Sequence, residues 1–174
     1  MKKITFILLM MVGLSVSYAK DKGPKVDVKD DTVTVDDKSV FILEKVKGSN
    51  PGVRNYFIEE LNGKKLAFIK YESYKDPKEV ESANPEGNVN YYQITFIESK
   101  QTAEIRFYLK VNKLAEFLLE QKLIQNGTIS EESENEFILV NGNPYAMKRK
   151  ELNGGNTIII NQEQAPKKGV TIGW

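Results

Sequence analysis

Along this chain the spacing of apolar residues switches between a period of two and a helical period, and most of the switches sit on turn-forming residues. Val33 and Val35 alternate with Thr32 and Thr34, Asp36-Asp37-Lys38 makes a turn, and Val40 to Leu43 runs on as a second strand, which predicts a hairpin in a fold that starts near Val26. Gly48 to Gly52 is a cluster of turn formers. Beyond it, Tyr56 to Ile58 and Leu66 to Ile69 flank Asn62-Gly63, a pair suited to the positive φ angles of a type I′ turn, so a second hairpin is expected. Tyr92, Ile94 and Phe96 share one strand face, and Ile105, Phe107 and Leu109 share the next. The period then lengthens. Val111, Leu114, Ala115 and Leu118 recur at helical spacing, Asn112 is placed to cap the start and Asn126-Gly127 to end it, which predicts a helix over 113–125.

Ser130 followed by Glu131 and Glu132 has the form of a second helix start, whereas Phe137 to Val140 suits either that helix or a strand leading into Asn141-Gly142. Tyr145 to Leu152, the turn Asn153 to Asn156, and Thr157 to Ile160 read as a third hairpin, with Lys148, Arg149 and Lys150 on a solvated edge strand. The expected fold is α+β: an antiparallel meander sheet of about seven to nine strands with one or two helices packed on one face.

The first residues change the picture more than any motif does. Lys2 and Lys3, the apolar run Ile4 to Leu14, and Ser17-Tyr18-Ala19 match a secretory signal peptide cleaved before Lys20. The expected organisation is a signal peptide at 1–19, a flexible lead-in at 20–25 and a single domain at 26–174. The apolar run is far shorter than the roughly 20 residues of a membrane-spanning helix, so export to the periplasm or the extracellular space, with no transmembrane helix after cleavage, is expected.

Composition removes chemistry without nominating any. The chain has 174 residues with no histidine and no cysteine, so histidine triads, thiol nucleophiles, ordinary zinc sites and disulfides are excluded. The leader takes Lys2 and Lys3 from the 25 basic residues and nothing from the 24 acidic ones, turning a net charge of +1 into −1. Nucleic-acid binding, which calls for a basic excess, is not expected.

The polar stretch from Tyr74 to Asn88, with Pro77, Pro85 and Gly87, reads as a long loop. Tyr71, Tyr74, Tyr91 and Tyr92 flank it, with Asn84, Asn88 and Asn90 nearby. Aromatic faces beside amide groups suit a sugar or a peptide, although tyrosine is also an ordinary strand former. Tyr71, Tyr74, Asn84, Asn88, Tyr91 and Tyr92 are the candidate ligand or partner contacts. Asp30-Asp31 and Asp36-Asp37 lack the spacing of a calcium loop and suit turns. Glu59, Glu60, Glu72, Glu98 and Glu104 fall on expected strands, where two carboxylates across a cleft would be needed for a hydrolase. Lys167, Gly169, Val170, Ile172 and Trp174 follow the pattern that ends outer-membrane β-barrel chains, but contiguous apolar runs and a helix suit a barrel poorly.

The stretches Asp31 to Phe41 and Ser82 to Tyr92, the latter running into Thr95-Phe96, together with the leader, resemble small secreted proteins of uncharacterised function from Bacteroidetes-type bacteria. That resemblance implies export and a single domain and brings no catalytic residues. The reading reached here is an exported, non-enzymatic binding domain with no cofactor and no bound metal, whose partner is an unknown protein or glycan. The alternatives are a small outer-membrane barrel or a carboxylate-dependent hydrolase.

Overall fold

The computed structural model describes residues 23–47 and 53–154. The signal peptide expected at 1–19, residues 20–22 of the expected lead-in, the turn cluster at 48–52, the strand expected at 157–160 and the barrel-like ending at 167–174 lie outside the described residues.

Seven strands form one antiparallel meander in chain order: β1 (Val26–Lys29), β2 (Thr32–Val35), β3 (Lys38–Lys47), β4 (Arg54–Glu59), β5 (Lys65–Lys75), β6 (Asn88–Phe96) and β7 (Thr102–Arg106). Three helical segments follow: α1 (Val111–Glu120), α2 (Glu131–Asn141) and α3 (Pro144–Leu152). Only Gly142 and Asn143 separate α2 from α3, so these two are one bent helical arm. The domain is α+β, as the apolar pattern predicted.

The turn chemistry differs from expectation in an instructive way. Asp30-Asp31 and Asp36-Asp37 are the two-residue loops of the β1–β2 and β2–β3 hairpins, and all four have φ between 47° and 65°, the sign a type I′ turn requires at both positions. Asn62-Gly63 does not make such a turn. Only Gly63 has positive φ (86°), and its N–H donates to the Glu60 carbonyl, which gives a three-residue loop ending in a left-handed glycine. The hairpin stands and its turn type is corrected.

Alternation along the strands sorts the side chains onto two faces. Val33, Phe41, Leu43, Ile58, Ile69, Tyr92, Ile94, Phe96, Ala103 and Ile105 gather into the main core with Leu114, Ala115 and Leu118 of α1 and Phe137 of α2. Each fully buried aliphatic or phenyl side chain contributes roughly 1.5–3 kcal/mol of transfer free energy, so this face holds most of the driving force. Phe137 meets both Phe96 and Phe117 edge-on, which is why residues 137–140 continue α2 rather than forming a strand.

Helix α1 ends at Glu120, short of the expected 125, because the next residues are needed in the core. Lys122 takes φ 54°, its N–H donates to the Leu119 carbonyl and the Leu123 N–H to the Leu118 carbonyl, the two bonds of a Schellman cap. That reversal buries Leu123 and Ile124. Asn112 does not cap the start of α1: its amide donates to Asp27 Oδ1 at 2.9 Å and ties the helix to β1. Ser130 does cap α2, exchanging hydrogen bonds with Ser133. Strand β7 stops at Arg106, and the chain turns into α1 with Leu109 exposed rather than on a strand face.

The segment Tyr145 to Leu152 is helical, which corrects the expected third hairpin and places Lys148, Arg149 and Lys150 on α3. The arm crosses the open edge of the sheet: the Glu104 N–H donates to the Gly142 carbonyl at 2.7 Å, and Thr102 Oγ1 and Asn143 Oδ1 lie 3.1 Å apart. This crossing occupies the free edge of β7 and carries α3 to the face opposite α1 and α2.

Candidate binding surface

Tyr91 and Tyr92 are neighbours on β6 and therefore point to opposite faces. Tyr92 joins the main core, pairs across the ladder with Tyr71, and meets Tyr56, Tyr71 and Phe107 at ring distances of 5.3–6.5 Å. Burial pushes its hydroxyl well above the ordinary tyrosine pKa. Tyr71 is half-buried, and its hydroxyl lies 2.6 Å from Asn90 Oδ1. These two rings close the end of the core.

Tyr91 is fully buried on the other face, outside that core. Tyr74 meets its ring edge-on at 6.1 Å, and Tyr145 of α3 stacks on it at 4.8 Å with 13° between planes. Burial raises the pKa of all three hydroxyls. Arg149 reaches Glu72 Oε2 at 3.3 Å beside them. Glu104, 2 % exposed, caps α3 from outside the helix: its Oε2 accepts the Tyr145 and Ala146 N–H groups at 2.8 and 2.9 Å. A carboxylate there meets both free amide donors and the positive end of the helix dipole.

Two polar atoms in this layer are buried without a hydrogen-bond partner among the described residues, the Tyr91 hydroxyl and Glu104 Oε1. Orphaned groups of this kind are uncommon in folded proteins and call for a physical reason. Helix α3 itself buries none of its residues. It is held by the Glu104 cap, the Tyr91–Tyr145 stack and the Arg149–Glu72 pair rather than by an apolar face.

The expected long loop is shorter and more built than its composition suggests. It spans residues 76–87, because β5 runs to Lys75 and β6 starts at Asn88. Buried Asp76 accepts the Lys78 N–H, a single 3₁₀ turn covers Pro77–Glu79, and Glu81 bridges Asn84. The Asn84 amide donates to the Glu79 and Asn88 carbonyls while its oxygen accepts the Asn88 N–H. The Asn88 amide lies 3.3 Å from Glu86. Both asparagines therefore hold the loop.

Of the candidate contacts, the structure brings Tyr74 and Tyr91 together, puts Tyr71 and Tyr92 on the opposite face, and uses Asn84 and Asn88 inside the loop. Tyr145, Glu104, Glu72 and Arg149 complete the Tyr74–Tyr91 cluster and were not singled out as a group from the sequence. The remaining carboxylates have partners of their own: Glu59 with Lys65, Glu60 with Asn62 and Thr128, and Glu98 with Lys64. Glu60 and Glu98 lie just outside strands. Among the described residues no group of three or more acidic side chains is placed to hold a metal ion, and no helix is long and apolar enough to cross a membrane.

No protein-family model matches the chain, and neither the curated proteins nor the solved structures provide a match.

Proposed function

We propose that this chain is an exported, non-enzymatic binding domain whose contact surface is the corner where α3 lies over β5, β6 and β7. The observation that carries the reading is the cluster of Tyr74, Tyr91 and Tyr145, whose outer rings, Tyr74 and Tyr145, are only half-buried, while two polar atoms behind them, Tyr91 OH and Glu104 Oε1, have no hydrogen-bond partner among the described residues. Half-buried tyrosine rings suit the apolar face of a glycan or a peptide segment of another protein. Export is supported by the leader pattern of residues 1–19. A non-catalytic role is supported by the absence of histidine and cysteine and by the separate partners of the carboxylates.

The test is a thermal-shift screen of the chain recovered after export from an expressing bacterium, against neutral oligosaccharides, peptidoglycan fragments and unrelated peptides. A ligand at 100 times its Kd adds about 2.7 kcal/mol, or roughly 5–10 °C in Tm for a domain of this size. Alanine at Tyr74 and Tyr145, both half-buried, is expected to abolish that shift. A shift unchanged in the double variant overturns the assignment of this corner.

A further inference from the structure

Beside the Tyr91–Tyr145 stack, at the edge of β7, lies a hollow of about 340 Å³ whose wall includes Glu104, Arg106, Tyr108, Phe117, Asn141 and Tyr145. We propose that it binds an alkylammonium group, either a small primary amine or the side chain of a lysine in a partner. This inference rests on the reading of the corner as a binding surface and names the chemistry that one part of it takes.

Glu104 supplies the counter-charge. Its Oε2 is committed to the two N–H groups of α3, whereas Oε1 has no partner among the described residues although the residue is 2 % exposed. The charge of this carboxylate, only partly compensated by the helix N–H groups, acts through the low-dielectric wall on a cation held in the hollow, and an ammonium group carries that charge with three donors of its own. Asn141 gives its amide N–H to the Phe137 carbonyl, which leaves its oxygen as a second acceptor on the wall. Phe117, Tyr108 and Tyr145 provide apolar surface along which a methylene stem can lie with its charged end inward.

The wall already accommodates one cation. The Arg106 guanidinium lies 4.9 Å from the centre of the Tyr108 ring, the geometry of a cation–π contact. Arg106 is a competitor for the same aromatic surface and a like charge at the hollow. An anionic ligand would instead need Arg106 and would be repelled by Glu104, so the two ligand signs make opposite demands on these residues.

The experiment measures binding of n-butylammonium and of N-acetyl-lysine methylamide to the exported chain by chemical-shift titration, with n-butanol as the neutral control. Both amines are expected to move the amide signals of residues 104–108 and 141–146, and n-butanol to bind at least about tenfold more weakly. Tighter binding of the lysine amide points to a protein partner, and equal binding to the small amine. Glu104→Gln keeps an oxygen acceptor for α3 and is expected to lower amine affinity about tenfold or more. Arg106→Met is expected to raise it. If Glu104→Gln loses its fold, Tyr108→Leu serves in its place, with a fall in amine affinity expected. Amine binding unaffected by Glu104→Gln or Tyr108→Leu, weakened by Arg106→Met, or matched by n-butanol overturns the proposal. If amines fail to bind while a sugar or peptide still gives a Tyr74-dependent shift, the ligand class falls and the surface stands.

Discussion

The ring of Tyr145 lies on that of Tyr91 with centroids 4.8 Å apart and planes 13° apart, and this contact joins α3 to the face of the sheet that α1 and α2 leave open. Stacked aromatic pairs add about 0.5–1.5 kcal/mol beyond their buried area. A nine-residue helix is marginal in isolation, so Tyr145→Ala is expected to release α3 while the seven-stranded core remains folded. Hydrogen exchange should show lost protection over residues 144–152 and little change in β3 to β6. Uniform loss of protection would mean that α3 is integral to the core.

Tyr91→Phe removes a buried hydroxyl that has no partner among the described residues and keeps the ring. Leaving such a group unsatisfied costs about 1–3 kcal/mol, so the variant is expected to be as stable as the parent or more so, read as Tm and denaturation midpoint. A clear loss of stability would show that the hydroxyl is satisfied in the folded protein.

Gly87 has φ +63°, and a Cβ placed on it would stand 2.3 Å from the Asp76 carbonyl oxygen. Gly87→Ala therefore combines left-handed strain of about 1–2 kcal/mol with a backbone clash. Its expected effect is a stability loss of about 2 kcal/mol or more, with the β5–β6 connection displaced. Lys122→Gly is the opposite case: the lysine sits at φ 54° in the cap of α1, where glycine carries no steric penalty. A gain of about 0.5–1 kcal/mol is expected from chemical denaturation.

Alkaline pH should unfold the domain through its buried tyrosines. Burial raises the folded-state pKa of Tyr56, Tyr91, Tyr92 and Tyr145 above the ordinary 10.0. Below that value the phenols are neutral in both states and stability is at its full level. Above it the unfolded chain loses protons that the folded chain keeps, so stability falls by about 1.4 kcal/mol per pH unit for each such group until its folded pKa is reached. Phenolate absorbance for these tyrosines should then appear together with unfolding. Their smooth titration near pH 10 in a chain that stays folded would contradict the burial described here.

Much of the fold was legible because it rests on local signals. Alternation marked the strands, Ser130 marked the start of α2, and the repeat from Val111 to Leu118 marked α1. What local signals could not supply is where a chain is pulled away from its pattern. The continuation of α1 past Glu120 was overruled by the burial of Leu123 and Ile124. Asp30-Asp31 and Asp36-Asp37 took the turn geometry expected of Asn62-Gly63, since short hairpins demand it and aspartate tolerates it. Helix α3 departs from the strand expected there, and its own local signals favour it: Pro144 after Asn143 is a helix-start signal, and Ala146 to Leu152 are good helix formers. The candidate site is half legible: the tyrosines flank the loop in the sequence, but which of them share a face depends on strand parity at Tyr91 and Tyr92. Their partners Tyr145 and Glu104 come from α3 and β7.

The most direct test of the proposed surface is to map, on the isotope-labelled chain, which backbone amide signals move when a ligand found in the thermal-shift screen is added. Changes are expected to concentrate in residues 72–76, 89–93, 102–108 and 143–149, the segments that carry Tyr74, Tyr91, Glu104 and Tyr145. Changes confined to the opposite face, around α1 and the β1–β2 hairpin, would contradict it.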